Sequence, residues 1–314
     1  MSLLETVEPF EAHAREFAAV VGDRPRLELL VEADAHEGPV YVAAEHALYF
    51  TSLPAAPGAE VSIERLDLET LEVTVVRASA NGANGMTLDR EGRLLVCEQG
   101  GPEEPARISR LDPATGASKM VVEAWGDIPF NSPNDVVVRS DGTIWFTDPS
   151  YGYLQGFKPE PQAGDHVYRH DPATGRTTVV ADSFDKPNGL AFSPDERVLH
   201  VGDSGANQEL GSFHSARPHH IRAFDVLDGR RLVGDRLFAV TNPGFPDGLK
   251  VDGEGRVYAS AFSGVQVFSP DGDELGDIHL PGAVNFAFGG PDGSTLFITA
   301  DSSIWAAILA AKGA

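Results

Sequence analysis

The sequence predicts an all-β protein, a six-bladed β-propeller with four antiparallel strands per blade, and three observations predict it. First, one phrase recurs six times: a short polar residue, a small or apolar stretch, a turn centred on an acid and glycine, and a second β-rich run. Its lead residues are Glu37, Asn84, Asn134, Asn188, Asp247 and Asn285, at intervals of 47, 50, 54, 59 and 38 residues. A supersecondary unit of this length cannot bury its apolar faces alone, so the copies must pack on one another. Second, each phrase is followed by a third β-like run and a turn; the turn DPATG occurs twice verbatim, with Pro setting φ and Gly accepting a positive φ. Third, a fourth run follows every copy except the last, while an unassigned strand of the same kind, RLELLVEA at residues 26–33, precedes the first copy. One terminus thus completes the blade of the other. A ring closed in this way protects its sheet edges, whereas a linear stack needs polar caps at both ends.

The elements follow in order. Residues 1–25, with the helical spacing of FEAHAREFAAVV, form an N-terminal extension expected as a short helix, and residues 26–314 form a single propeller domain. The third runs are SIERLDLET (62–70), RISRLDPATG (107–116), HVYRHDPATG (166–175), HIRAFDVLDG (220–229), GVQVFSPDG (264–272) and SIWAAIL near the C terminus. The fourth runs are LEVTVV (71–76), SKMVVEAW (118–125), TTVVADSF (177–184), RLVGDRLFAV (231–240) and ELGDIHL (274–280). The 33 Gly and 22 Pro suit a chain of many turns, and 42% apolar residues suffice for a core.

Against 24 basic residues stand 47 acidic ones, a formal charge of −23. Such a surface repels phosphate backbones and anionic lipid heads, so neither nucleic acid nor a membrane is expected as a partner. No apolar run is long enough to span a bilayer. The N terminus lacks the basic region and apolar core of a secretory signal, and a single cysteine, Cys97, excludes an internal disulfide; a cytoplasmic location is the expectation. Cys97 lies in the β-run LLVCE and is expected as a buried, inert thiol.

In a propeller the first strand of each blade runs along the central channel, so the six lead residues gather at one mouth. The second strand returns antiparallel and ends there too. Its closing acids Glu98, Asp148 and Asp203, and the long loops that follow, then surround the leads. Long loops on one face of a rigid scaffold build substrate pockets. Tyr151, Tyr153 and Phe157, in the loop after Asp148, are placed to cap a small ligand. Asn84 and Asn285 are explained as turn-forming residues at the strand entry. That reading does not account for two acids, Glu37 and Asp247, in a crowded channel, where unpaired carboxylates are costly and a shared cation removes the cost. Oxygen-only donors favour Ca²⁺, with Mg²⁺ or Mn²⁺ next; Zn²⁺ prefers His or Cys, and no lead is either. No nucleophile elbow, phosphate loop, dinucleotide fingerprint or zinc-protease helix motif is present. The histidine pair at 219–220 is expected at the surface, and DGDELGD (271–277), which lacks the closing bidentate Glu of a calcium loop, reads as a hairpin turn.

EGPVY at Glu37, NSPNDVVV with DGTIWFTDPSYG, KPNGLAFSPD and FPDGLKVD together resemble the family that joins gluconolactonases, regucalcin (senescence marker protein), luciferin-regenerating enzyme and diisopropylfluorophosphatase, over roughly residues 26–309. The stretch FNSPNDVVVRSDGTIWFTDPSYG is similar to the bacterial gluconolactonase branch in particular. The resemblance implies a propeller with one divalent cation, usually calcium, at the channel mouth. It implies Glu37, Asn188 and Asp247 as direct ligands and Asn134 as an amide that touches both cation and substrate. It also implies a hydrolase that opens a sugar lactone, with Asp247 as first choice of base and Glu37 next; Ser132, together with Asp148, Tyr151 and Glu98 from their strand-end and loop positions, is expected near the substrate. Regucalcin-like members carry an Arg where this chain has Ser132, which removes a guanidinium contact to sugar hydroxyls. Two alternatives belong to the same scaffold: organophosphate hydrolysis, and a non-catalytic calcium-binding propeller.

Overall fold

The computed structural model describes residues 8–209 and 211–314, and the chain forms a ring of six antiparallel blades. Blade one contains Glu37–Val42, Ala47–Thr51, Ile63–Asp67 and Val73–Arg77. Blade two contains Ala83–Leu88, Leu94–Glu98, Arg107–Leu111 and Ser118–Val122. Blade three contains Val136–Val138, Ile144–Asp148, His166–Asp171 and Arg176–Ala181. Blade four contains Pro187–Phe192, Val198–Asp203, His220–Leu227 and Arg231–Val240. Blade five contains Leu249–Val251, Val257–Ala261, Gly264–Phe268 and Glu274–His279. Blade six takes Asn285–Gly289, Thr295–Thr299 and Asp301–Ile308, and its outer strand is the N-terminal Arg26–Ala35, which pairs with Asp301–Ile308 and closes the ring.

The core is divided into wedges between blades, because each sheet buries both of its faces. The second strands show this most clearly: Ala47–Thr51, Leu94–Glu98, Ile144–Asp148, Val257–Ala261 and Thr295–Thr299 are buried along their whole length. Strands covered on both faces lose the alternation of polar and apolar residues. Leu48, Phe50 and Leu66 of blade one pack with Phe297, Ile304 and Ala306 of blade six, so the closing interface is as apolar as the others. Trp145 and Val167 of blade three meet Leu190, Leu199 and Val201 of blade four in the same manner. Each fully buried side chain of this kind contributes roughly 1.5–3 kcal/mol.

The N-terminal extension is only partly helical. Phe10–Ala12 pairs as a fifth strand on blade five, with Phe10 opposite Ile278, and a short 3₁₀ turn (Arg15–Phe17) and one α-turn (Ala18–Val21) follow. The outer strand of blade five has Leu275 and Ile278 on covered positions, and Phe10, Phe17 and Val20 supply that cover in the wedge between blades five and six. Helical spacing in Phe10–Val21 therefore gives way at its start to an available sheet edge. Residues 1–7 of the expected extension lie outside the described residues.

Candidate active site at the channel mouth

The first strands bring their opening residues together through a repeated backbone contact. The N–H of the residue after one lead donates to the lead carbonyl of the next blade: Gly85 to Asn134 (2.8 Å) and Gly189 to Asp247 (2.9 Å). Gly38, Gly85 and Gly189 are required here because a Cβ would collide with the carbonyls of Asn84, Asn134 and Asp247. In blades one, two and four the strand carries a bulge at this point, between Glu37 and Val40, Ala83 and Met86, and Pro187 and Leu190. Bulges re-aim side chains beside functional sites.

The sixth lead is corrected by one residue. Asn134 N donates to Thr147 O and Val284 N to Thr299 O, both at 2.9 Å, and Gly248 N meets Val284 O at 3.0 Å. Asp135 and Asn285 each cap the next backbone amide, at 2.8 Å. Val284 thus occupies the lead position, and Asn285 is the counterpart of Asp135. Hydrogen-bond register, not residue type, sets the equivalence.

Polar groups at this mouth are under-satisfied. Asn134 Oδ1 and Asp135 Oδ2 are buried without a hydrogen-bond partner among the described residues, as is the Tyr151 hydroxyl. Burial, with the charge of Glu37 beside it, holds the Asp247 carboxyl well above the ordinary range, partly opposed by His36 and the amide of Asn188. Burial pushes Asp135 up to about 6, Lys250 pulling it down and Glu37 adding to the rise. Burial alone would lower the His36 imidazole; its 2.7 Å hydrogen bond to Asp301 and the charges of Glu37, Asp301 and Asp247 outweigh that and raise it. Burial and the Asp247 charge both raise the Tyr151 phenol, and its hydroxyl faces Ser204 and Asn188. Two carboxylates and two amides, Glu37, Asp247, Asn134 and Asn188, therefore stand at one rim as an oxygen-only donor set. An orphaned buried amide oxygen beside a carboxyl that burial and a neighbouring charge hold well above its ordinary range is what a hard cation would satisfy, so these residues fit one.

Sequence reasoning missed His36, Asp135 and Lys250. A lysine inside the otherwise apolar inner strand Leu249–Val251 was the available signal, since alternation turns it into the channel.

Two expected substrate contacts are corrected. Glu98 is fully buried and fully engaged, accepting from Arg77 (2.8 Å), Arg107 (2.6 Å), Asn81 (3.0 Å), Ser109 (2.5 Å) and Ser118 (3.1 Å). Asp148, also fully buried, accepts the backbone amides of Asn131 (2.9 Å) and Ser132 (2.7 Å). Asp203 holds Asp185 and Lys186 in the same way, at 3.1 and 2.9 Å. The acids that end the second strands are clamps on the backbone leading into the blade, or on neighbouring strands, because a carboxylate buried there needs local donors. Ser132 is buried, and its Oγ accepts the Gly152 amide at 2.8 Å, which props the loop after Asp148. Cys97 is buried, and burial raises its thiol well above the ordinary value.

That loop roofs the mouth. Its short helix Tyr151–Leu154 turns Tyr151 inward and leaves Tyr153 exposed, lining a cavity of about 320 Å³ with Phe130, Asn131 and Ser132. Lys158 Nζ donates to Gln99 O of blade two at 2.9 Å, and Phe157 lies against Gly58 of blade one. On the opposite wall Phe213, Phe245 and Phe262 meet edge to face at 5.4 and 5.3 Å. A separate acid–imidazole group, His13, Glu274 and Asp277, ties the N-terminal segment to the outer edge of blade five, away from the mouth.

The profile of the SMP-30/Gluconolactonase/LRE-like region matches residues 35–302. The chain is 32% identical to the gluconolactonase of Zymomonas mobilis, over 85% of this chain and 76% of that protein. It is 30% identical to the lactonohydrolase OryL of Aspergillus oryzae, over 89% of this chain and 69% of that protein. Among solved structures it is similar to a gluconolactonase from Xanthomonas campestris, with a TM-score of 0.80 and 36% identity, covering 96% of this chain and 95% of that one.

Proposed function

Because the chain belongs to the SMP-30/gluconolactonase/LRE-like family, we propose that it is a hydrolase that opens a lactone ring, working at the mouth ringed by Glu37, Asn134, Asn188 and Asp247. The observation that carries the reading is the under-satisfied state of that mouth: a buried amide oxygen without a donor among the described residues, beside a carboxyl that burial and the charge of Glu37 hold well above the ordinary range.

A divalent cation, best Ca²⁺, held by these four side chains would polarise the lactone carbonyl and stabilise charge developing on its oxygen. Asn134, through its Nδ2 donor, and the Tyr151 hydroxyl, which has no partner among the described residues, orient the ester by donating to its oxygens. The loop after Asp148, with Tyr151 turned inward, covers part of the mouth against bulk water. Water oxygen bonds to the carbonyl carbon as its proton passes to Asp247; the ring C–O bond then breaks, and the same proton goes to the departing alkoxide, leaving a hydroxy acid and Asp247 as it began. The Glu37 charge beside it adds to burial in raising the basicity of Asp247.

The test is a pH-stat assay with δ-gluconolactone. Protein stripped by a strong chelator should lose turnover and regain it with Ca²⁺; equal rates before and after stripping would remove the cation from the reaction. Diisopropylfluorophosphate run beside the lactone should be the poorer substrate.

A further inference from the structure

Below the mouth the channel contains a cation of its own. Lys250 lies on the inner strand of blade five, between the lead residues above and a cavity of about 350 Å³ below, which Pro39, Val40, Met86, Phe288 and Ala314 help to line. The Lys250 side chain is 26% exposed. Lys250 Nζ turns toward oxygens of the channel wall, donating to Leu249 O at 3.0 Å and Asn285 Oδ1 at 3.2 Å, with Asp135 Oδ2 at 4.0 Å. Asn285 passes the order on: its Nδ2 donates to Glu37 Oε2 at 2.7 Å, across the junction of blades six and one.

The orientation of the Asn285 amide is over-determined. Its Oδ1 accepts from Phe286 N at 2.8 Å and from Lys250, so a flipped amide would face two donors with a third and would turn its oxygen against a carboxylate. Glu37 Oε2 also accepts the Gly38 amide at 3.0 Å, while Oε1 accepts no donor among the described residues. One carboxylate oxygen is thereby pinned and the other left free toward the mouth.

We infer that Lys250 and Asn285 are positioning residues, a two-step relay that sets the Glu37 carboxylate for cation binding. This rests on the reading of Glu37 as a ligand. The group that orients a ligand from behind typically changes metal affinity 10- to 100-fold when removed. Simple electrostatics gives the opposite sign, since deleting a nearby ammonium should tighten cation binding. The sign therefore separates orientation from charge.

Ca²⁺ binding to chelator-stripped full-length protein, followed by titration calorimetry, tests it. Lys250→Met should weaken Ca²⁺ binding about 10-fold or more. Asn285→Ser, which keeps the lysine's charge, should do the same, and the double variant should lose no more than the worse single one, since both act through one carboxylate. Melting curves of the stripped proteins check that each is folded; if Lys250→Met is not, Asn285→Ser carries the test alone. Affinity equal to wild type in Asn285→Ser, tighter binding in Lys250→Met, or additive losses would overturn the relay while leaving the cation site standing. A wild-type protein that binds no Ca²⁺ would overturn both.

Discussion

Two sets of buried acids lie at matching ends of the blades' inner strands and differ in the partners they find. Glu98, Asp148 and Asp203, at the ends of second strands, are surrounded by donors from Arg, Ser, Asn and backbone amides. Asp247 and Asp135, at or beside the openings of first strands, are short of donors; a raised carboxyl does not separate the sets, since burial pushes Asp148 up to about 7 despite its two backbone donors. Residue type does not distinguish the sets. The clamps join pieces of chain that folding alone brings together, so the fold can satisfy them. The mouth acids face a channel where Asp135 Oδ2 and the nearby Asn134 Oδ1 have no hydrogen-bond partner among the described residues, which leaves room for one from outside the chain. Local rules of satisfaction are broken where a protein acts on something else.

The largest effect should come from the under-satisfied set. Asp247→Asn is expected to lower kcat by roughly 10²- to 10⁴-fold, while the melting temperature stays level or rises because a strained carboxyl is gone; a lactonase assay and a thermal scan on the same sample check both. An Asp247→Asn protein that melts far below wild type but retains its turnover per folded molecule would merge the two sets. Glu98→Ala should do the reverse, costing on the order of 3–5 kcal/mol by stranding Arg77 and Arg107 and leaving kcat of the folded fraction near wild type. Urea unfolding beside steady-state kinetics reads the two quantities.

His200 offers a control in the blade body. Buried against Phe238 at 4.6 Å, its imidazole is lowered to about 4, mainly by burial. Between its ordinary value near 6.5 and about 4 the unfolded chain binds the extra proton, so stability should fall as pH drops through that window, by about 3 kcal/mol at most. His200→Leu should flatten this acid limb in urea titrations at pH 7, 5.5 and 4 without touching the lactone reaction. The smallest effect is expected at Ser132, whose hydroxyl only props the roof loop. Ser132→Ala should cost about 1 kcal/mol and leave KM within a factor of a few, whereas a large rise in KM would return Ser132 to the substrate.

The repeat phrases made the ring, its closure by residues 26–33 and the mouth itself legible, because strand periodicity and turn chemistry are local properties of the chain. They also singled out six lead residues, among which the family resemblance picked Glu37, Asn134, Asn188 and Asp247. Matching Asn285 to the other leads by its side chain was misleading, and only the amide-to-carbonyl register that pairs Val284 with Thr299 corrected it. Helical spacing likewise did not reveal that Phe10–Ala12 would find the free edge of blade five.

The amino-acid order by itself determined the blades and the candidate residues of the mouth, since each depends on contacts within one repeat or on a residue's own chemistry. Tertiary structure alone decided which acids are spent on clamps and which remain in need. It also brought Lys250, Asn285 and Glu37, from three different blades, into one line. The physical reason is that a donor's worth to a carboxylate depends on distances of about 3 Å, and those are set between blades, where sequence separation carries no information.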